Sequence, residues 1–260
     1  MRCLPGPATV LLLLSIQIGA CGGPEVRHAQ PAGPSDSAAA APADPLLADA
    51  DRALLRGEWA AAELGYALLL QHDTGLHHAR AHRAVARLAL GRIQPAVDDA
   101  LLVLEHHAPP DAQTLAVHVL ARAGRCPIAL RHGEVLGMES GRPDSAALLA
   151  ICHVQTGDLV AALDLLAEAP ADDPRAWVLR GIIHALEEEP AQAEAAWQRA
   201  LESDPGQLDA LRNLGLLLWS QGQPERARTL LEAYLQRTQA SHVDRPRIES
   251  MLQEQGASGP

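Results

Sequence analysis

His78 and His82 stand four residues apart, with His77 beside them. On a helix that spacing puts both imidazoles on one face. Such a pair is compatible with a metal site or with a patch that responds to protonation. It is equally compatible with ordinary surface histidines, because no carboxylate or cysteine pattern nearby completes a ligand set. No metal is therefore expected. His106 and His107 precede Ala108-Pro109-Pro110 and read as the end of a helix beside a turn. The cysteines are Cys3, Cys21, Cys126 and Cys152, and none of them forms a Cys-x-x-Cys pair. HExxH, GxSxG and GxGxxG are also absent. All 21 basic residues are arginine. A chain without lysine has neither a Walker-type phosphate loop nor a Schiff-base lysine. The expectation is a protein that is not an enzyme and carries no cofactor.

The net charge of −11 becomes −12 if Arg2 is removed with a leader. An acidic chain without a basic run lacks the phosphate-neutralising surface that supplies most nucleic-acid affinity, so nucleic acid is not an expected partner. At 260 residues the chain is long enough for a large core or for an extended array.

The first 20 residues set the compartment. Met1-Arg2 is a short positive start, and Ala8 to Ala20 is mostly apolar. That stretch of 13 residues is too short to span a bilayer but fits a signal-peptide core. It ends Ile18-Gly19-Ala20-Cys21, which resembles the bacterial lipobox. The resemblance implies that residues 1–20 are a lipoprotein signal peptide and that Cys21 is acylated as the new N-terminus. It also implies a lipid-anchored protein of the cell envelope. Gly22, where aspartate is linked to inner-membrane retention in some bacteria, favours the outer membrane, facing the periplasm. The alternative is ordinary secretory cleavage after Ala20, with Cys21 incidental. Residues 21–42 are rich in Gly, Pro, Ser and Ala, have no apolar period, and read as a disordered tether.

Beyond the tether, three positions recur in one register. A small residue stands eighth (Ala50, Ala84, Val117, Ala150, Gly181, Gly215). Glycine stands fifteenth (Gly57, Gly91, Gly124, Gly157, Gly222), with Glu188 as the exception. Alanine stands twentieth (Ala62, Ala96, Ala129, Ala162, Ala193, Ala227). The period is clearest at the C-terminal end, where Gly181 and Gly215 are 34 residues apart, as are Ala193 and Ala227. This pattern resembles the tetratricopeptide repeat, a helical hairpin with small residues where two backbones approach.

The resemblance implies an all-α fold, a right-handed solenoid of about six hairpins over 43–241. The units are 43–76, 77–109, 110–142, 143–173, 174–207 and 208–241. Residues 242–260 then supply a capping helix and a disordered tail. Asp244 would start that helix, and Ile248, Met251 and Leu252 would cover the open end of the stack. The second helix of unit 143–173, which loses residues near Ala169-Pro170, should end early. In stacked hairpins Cys126 and Cys152 fall at the same end of neighbouring helices, where they could form a disulfide or remain two small buried hydrophobes.

By the same resemblance, the first helix of each hairpin lines a concave groove. Its residues would be His78, His82 and Val85; Thr114, His118 and Arg122; Ile151 and Val154. Farther along they would be Arg175, Val178, Ile182, Asp209, Arg212, Asn213, Leu216 and Trp219. This groove suits an extended or helical protein segment, with Trp219 as anchor and arginine fixing a carboxylate. The apolar members could instead pack inside the stack or against the cap. The lysine–asparagine carboxylate clamp of chaperone-binding members is missing, so that ligand is not expected. In architecture the chain is similar to pilotin lipoproteins, which help type IV pilus secretins assemble. Two alternatives stand beside that function: an adaptor for an envelope protease or peptidoglycan hydrolase, and a metal- or pH-responsive protein using its histidines.

Overall fold

A chain of hairpins needs a backbone reversal between the helices of each pair, and the fifteenth position supplies it. In the structure, a computed structural model, Gly57, Gly91, Gly124, Gly157 and Gly222 take φ between 71° and 84°. Only glycine adopts that region without strain. Each closes its helix with a paired motif: Gly222 N–H donates to the Trp219 carbonyl (3.1 Å) and Gln223 N–H to that of Leu218 (2.9 Å). Glu188 makes the same turn at φ 60°, although it carries a side chain. Its neighbour Glu189 donates its N–H to the His184 carbonyl at 2.8 Å, so the motif is intact.

The structure describes residues 45–138, 143–238 and 244–256. The leader, Cys21 and the tether lie outside the described residues, as does the end of the tail. Among those described, thirteen α-helices and no strand are present. They divide between Asp158 and Leu159 into two compact units, inside the span 143–173 expected as one hairpin.

The first unit contains α1 (Pro45–Leu55), α2 (Trp59–His72), α3 (His77–Ala89), α4 (Ile93–Glu105), α5 (Pro110–Arg122), α6 (Cys126–Val135) and α7 (Pro143–Thr156). Consecutive helices pack antiparallel as hairpins, and α3 also meets α5, as α5 meets α7. The core here is built largely of alanine: Ala50, Ala53, Ala62, Ala79 and Ala86 surround buried Tyr66, Leu69 and Leu70. Alanine and glycine let α1 and α2 come close enough that a Cβ on Gly65 would lie 2.8 Å from Ala50 Cβ.

The second unit contains α8 (Leu159–Ala167), α9 (Pro174–Leu186), α10 (Pro190–Ser203), α11 (Leu208–Ser220), α12 (Pro224–Arg237) and α13 (Arg245–Gly256). Proline opens α9, α10 and α12, where the missing N–H has no intrahelical partner to lose. Asp173 caps α9 by accepting the Arg175 N–H at 2.9 Å. Here a large side chain fills the space left by a small one. Trp197 is fully buried over Gly181, where a Cβ would overlap its indole, and Leu231 lies over Gly215. The indole N–H donates to the Val178 carbonyl at 3.1 Å, so Trp197 leaves no orphaned donor. The C-terminal helix α13 closes the unit: Ile248 and Leu252 are buried with Leu211, Leu231 and Tyr234. This is the cap that the resemblance implies.

Candidate partner-binding surface

The residues proposed to form a groove in the second unit lie on α9 and α11, and they differ in what they offer. Arg175 is exposed and lies 3.4 Å from the Asp173 carboxylate. Val178 and Ile182 are buried. On α11, Arg212 and Asn213 are buried too, although both are polar. A buried guanidinium needs partners for its charge and its donors. Arg212 Nη1 donates to Asp244 Oδ2 at 2.9 Å, and its Nε donates to Asn213 Oδ1 at 3.1 Å. Its Nη2 lies 3.3 Å from Asp209 Oδ1. A carboxylate therefore does sit on Arg212, but it belongs to this chain. The cause is the start of α13: Asp244, the residue immediately before it, lies over α11. Leu216 and Trp219 are half-buried against the cluster that includes Ile248 and Leu252.

On the first unit, each histidine of the sequence pair has its own acid. His78 Nε2 and Asp111 Oδ2 are 2.6 Å apart, linking α3 to α5. His82 Nδ1 lies 3.6 Å from Asp51 of α1, and the Tyr66 hydroxyl donates to that same carboxylate at 2.6 Å. Farther along, His118 Nε2 is 3.0 Å from the Ser145 hydroxyl. Burial pushes the His82 imidazole below its ordinary range; Asp51 and Asp111 pull it up, and the charge of His78 pushes it down. Burial would raise Asp111, but the hydrogen bond and charge of His78, with backbone N–H groups, hold it below the usual carboxylate range. Burial and the bond to Asp51 push the Tyr66 phenol upward. The structure thus does not gather His78 and His82 around one centre. Among the described residues, three potential ligands converge elsewhere: atoms of His184, Glu187 and Glu189 lie within 4.8 Å of one another. Two of these flank Glu188 in the strained turn, and His184 Nδ1 is 2.8 Å from Glu189 Oε2.

Cys126, at the first position of α6, and Cys152 of α7 are joined as a disulfide, with a Cα–Cα distance of 4.9 Å and both residues buried. The sequence offers no sign of a second linkage, a buried charge network. Asp99 of α4 is 2 % exposed; it accepts from Arg83 at 2.9 and 2.7 Å and from Arg87 at 2.8 Å. Glu63 of α2 then accepts from Arg87 at 3.0 Å and from Arg92 at 2.6 Å. This network is structural, since its donors and acceptors are spent on one another.

Hairpins closed by a small residue on one helix and a larger one on the next define the tetratricopeptide-repeat fold. Residues 178–242 match the tetratricopeptide repeat family model. A solved tetratricopeptide repeat protein from Parabacteroides merdae superposes with a TM-score of 0.61 at 13 % identity, over 82 % of this chain and 89 % of that one. A thermophilic tetratricopeptide repeat protein of Thermus thermophilus is 20 % identical over 80 % of this chain and 98 % of its own, with a TM-score of 0.40. MamA from Desulfovibrio magneticus is 19 % identical over 74 % of this chain and 93 % of its own, with a TM-score of 0.39. No curated protein matches the sequence. The chain has the tetratricopeptide-repeat fold, and its second unit carries the family's sequence pattern.

Proposed function

We propose that this chain is a non-enzymatic scaffold that binds a protein or peptide partner, held at the bacterial cell envelope by a lipid on Cys21. Its partner is a component of an outer-membrane assembly such as a pilus secretin. The observation that carries the binding part is the seat on α11 and α12, where Arg212 engages Asp244 and Leu216 and Trp219 pack against the cluster that takes in Ile248 and Leu252 of α13. That is the chemistry of helix-in-groove recognition. The envelope part rests on the apolar leader ending in Ile18-Gly19-Ala20-Cys21. No helix among the described residues is long and apolar enough to cross a membrane.

Two experiments test this reading. Cys21→Ser should move the protein from the membrane fraction to the soluble periplasmic fraction; unchanged fractionation overturns the anchor. Affinity capture from detergent-solubilised membranes should retain a secretin, with recovery falling about tenfold for Trp219→Ala, as for an interface hot spot. Normal secretin multimers in a deletion strain would remove the secretin, and capture of a protease or peptidoglycan hydrolase would replace it with the adaptor role.

A further inference from the structure

We propose that the face of α11 and α12 beneath α13 is a receptor for a partner's amphipathic helix, and that α13 is its resident, displaceable occupant. The proposal rests on the scaffold reading above and supplies the partner's chemistry. The partner is a helix with Asp or Glu at the residue just before its first turn and aliphatic residues four and eight positions later.

The pattern is read from what α13 itself inserts. Asp244, Ile248 and Leu252 are spaced by four and so lie on one helical face. They meet Arg212 and the Leu211–Leu231–Tyr234 cluster. Displacement is feasible for two physical reasons. First, α13 is lightly committed. α11 lies between the hairpin before it and α12 with α13, and buries eight residues; α13, at the end of the unit, buries only Ile248 and Leu252 among its described side chains. It is also tied by Arg228 to the Leu252 carbonyl at 3.3 Å and by Arg245 to the carbonyls of Leu235 and Thr238, at 2.6 and 3.0 Å. Second, release strands no charge. Removing the carboxylate from a buried guanidinium is normally prohibitive, but Arg212 keeps Asp209 and Asn213 when Asp244 leaves. The seat is thus preformed and electrostatically satisfied, open or occupied. A partner's helix competes with α13 on equal chemistry and gains wherever it buries more apolar surface.

The test uses the full chain and a labelled peptide of residues 244–256. Ile248→Ala with Leu252→Ala weakens the resident helix, so this variant should bind the peptide at least tenfold more tightly than the unaltered chain. Placing Asp244→Asn in the peptide should reduce that affinity about tenfold. A variant that keeps its helical circular dichroism and binds no better than the unaltered chain overturns the proposal. Hydrogen exchange on the unaltered chain needs no folded variant. Amides of α13 should exchange at least tenfold faster than those of α11 and α12, and equal rates would show that α13 leaves only when the whole unit unfolds, overturning displacement. Peptide exchange without membrane-protein capture would support the helix seat while overturning the envelope reading.

Discussion

The two units close the same kind of hairpin with different chemistry. In the first, much of the core is alanine, and alanine meets glycine at Ala50 and Gly65, which brings helices close but buries little apolar surface per contact, although Leu149 also lies over Gly133. Two polar groups and a disulfide add to it: Asp99 between two arginines, the Tyr66 hydroxyl on Asp51, and the Cys126–Cys152 bond. In the second, Trp197 sits on Gly181 and Leu231 on Gly215, and the interior is aliphatic and aromatic apart from buried Arg212 and Asn213. The family model matches only within the second unit. The difference lies at the repeat's eighth position, which is glycine beneath a large side chain in the second unit and alanine or valine in the first, while the positive-φ turn is common to both.

The sharpest way to break the comparison is to remove the carboxylate of Asp99. Asp99→Ala leaves Arg83 and Arg87 nearly enclosed, with side-chain exposures of 14 % and 20 %, and only Arg87 retains a carboxylate, Glu63. An uncompensated buried charge costs about 3–5 kcal/mol. Urea denaturation should record a loss of that size, with hydrogen exchange accelerating in α3 and α4. A loss below about 1 kcal/mol would mean that the first unit is held by its alanine contacts after all.

The second unit should fail differently. Gly181→Ala adds a Cβ that overlaps the Trp197 indole, and both the ring and its bond to the Val178 carbonyl are buried. Overpacking of this kind costs about 1–3 kcal/mol. A weakened near-ultraviolet tryptophan signal should accompany it. The equivalent position in the first unit, Ala84, already carries a Cβ and is fully buried without conflict. A neutral Gly181→Ala would therefore erase the distinction between the units.

A smaller effect, of opposite sign, is expected at Glu188. Its φ of 60° is the conformation that glycine takes at the other five turns. Glu188→Gly should raise stability by about 1 kcal/mol, read as an increase in thermal midpoint. No gain would mean that the glutamate side chain offsets its own strain, with the cluster of His184, Glu187 and Glu189 as the place to look for how.

These three positions also show what a reader of the sequence can see. Gly181 and the turn glycines are legible because a backbone requirement allows one residue type, and the requirement recurs with a period. Glu188 is legible only as an exception; the sequence shows the missing glycine but not that the turn persists. Asp99 is invisible, since Asp98-Asp99 reads as solvated surface, and its partners Arg83 and Arg87 lie on another helix, 16 and 12 residues away. Arg212 illustrates the same limit at the candidate site. Its place on α11 follows from the repeat register, but its partner Asp244 is 32 residues on, beyond the periodic region. Long-range charge pairing leaves no period to read.

The smallest expected effect is a pH dependence confined to the first unit's α1–α3–α5 face. Burial depresses His82, so its folded pKa lies below the unfolded value of about 6.5. As pH falls, the unfolded chain takes up a proton before the folded one does. The resulting stability is complete above about pH 6.5 and is lost as pH falls through the folded pKa. Asp111 acts in a separate, lower window: its depressed pKa contributes stability above about pH 4 that disappears with further acidification. A thermal midpoint followed from about pH 7.5 to about pH 5.5 therefore isolates the histidine. The unaltered chain should lose more over that range than His82→Gln, which has no proton to gain. Because His82 is one-third exposed, water screens part of the penalty and the difference should be small. Equal slopes would mean that Asp51, 3.6 Å away and shared with Tyr66, stabilises the imidazolium as much as burial disfavours it. In that case the polar face of the first unit is balanced against charge as closely as its Asp99 interior.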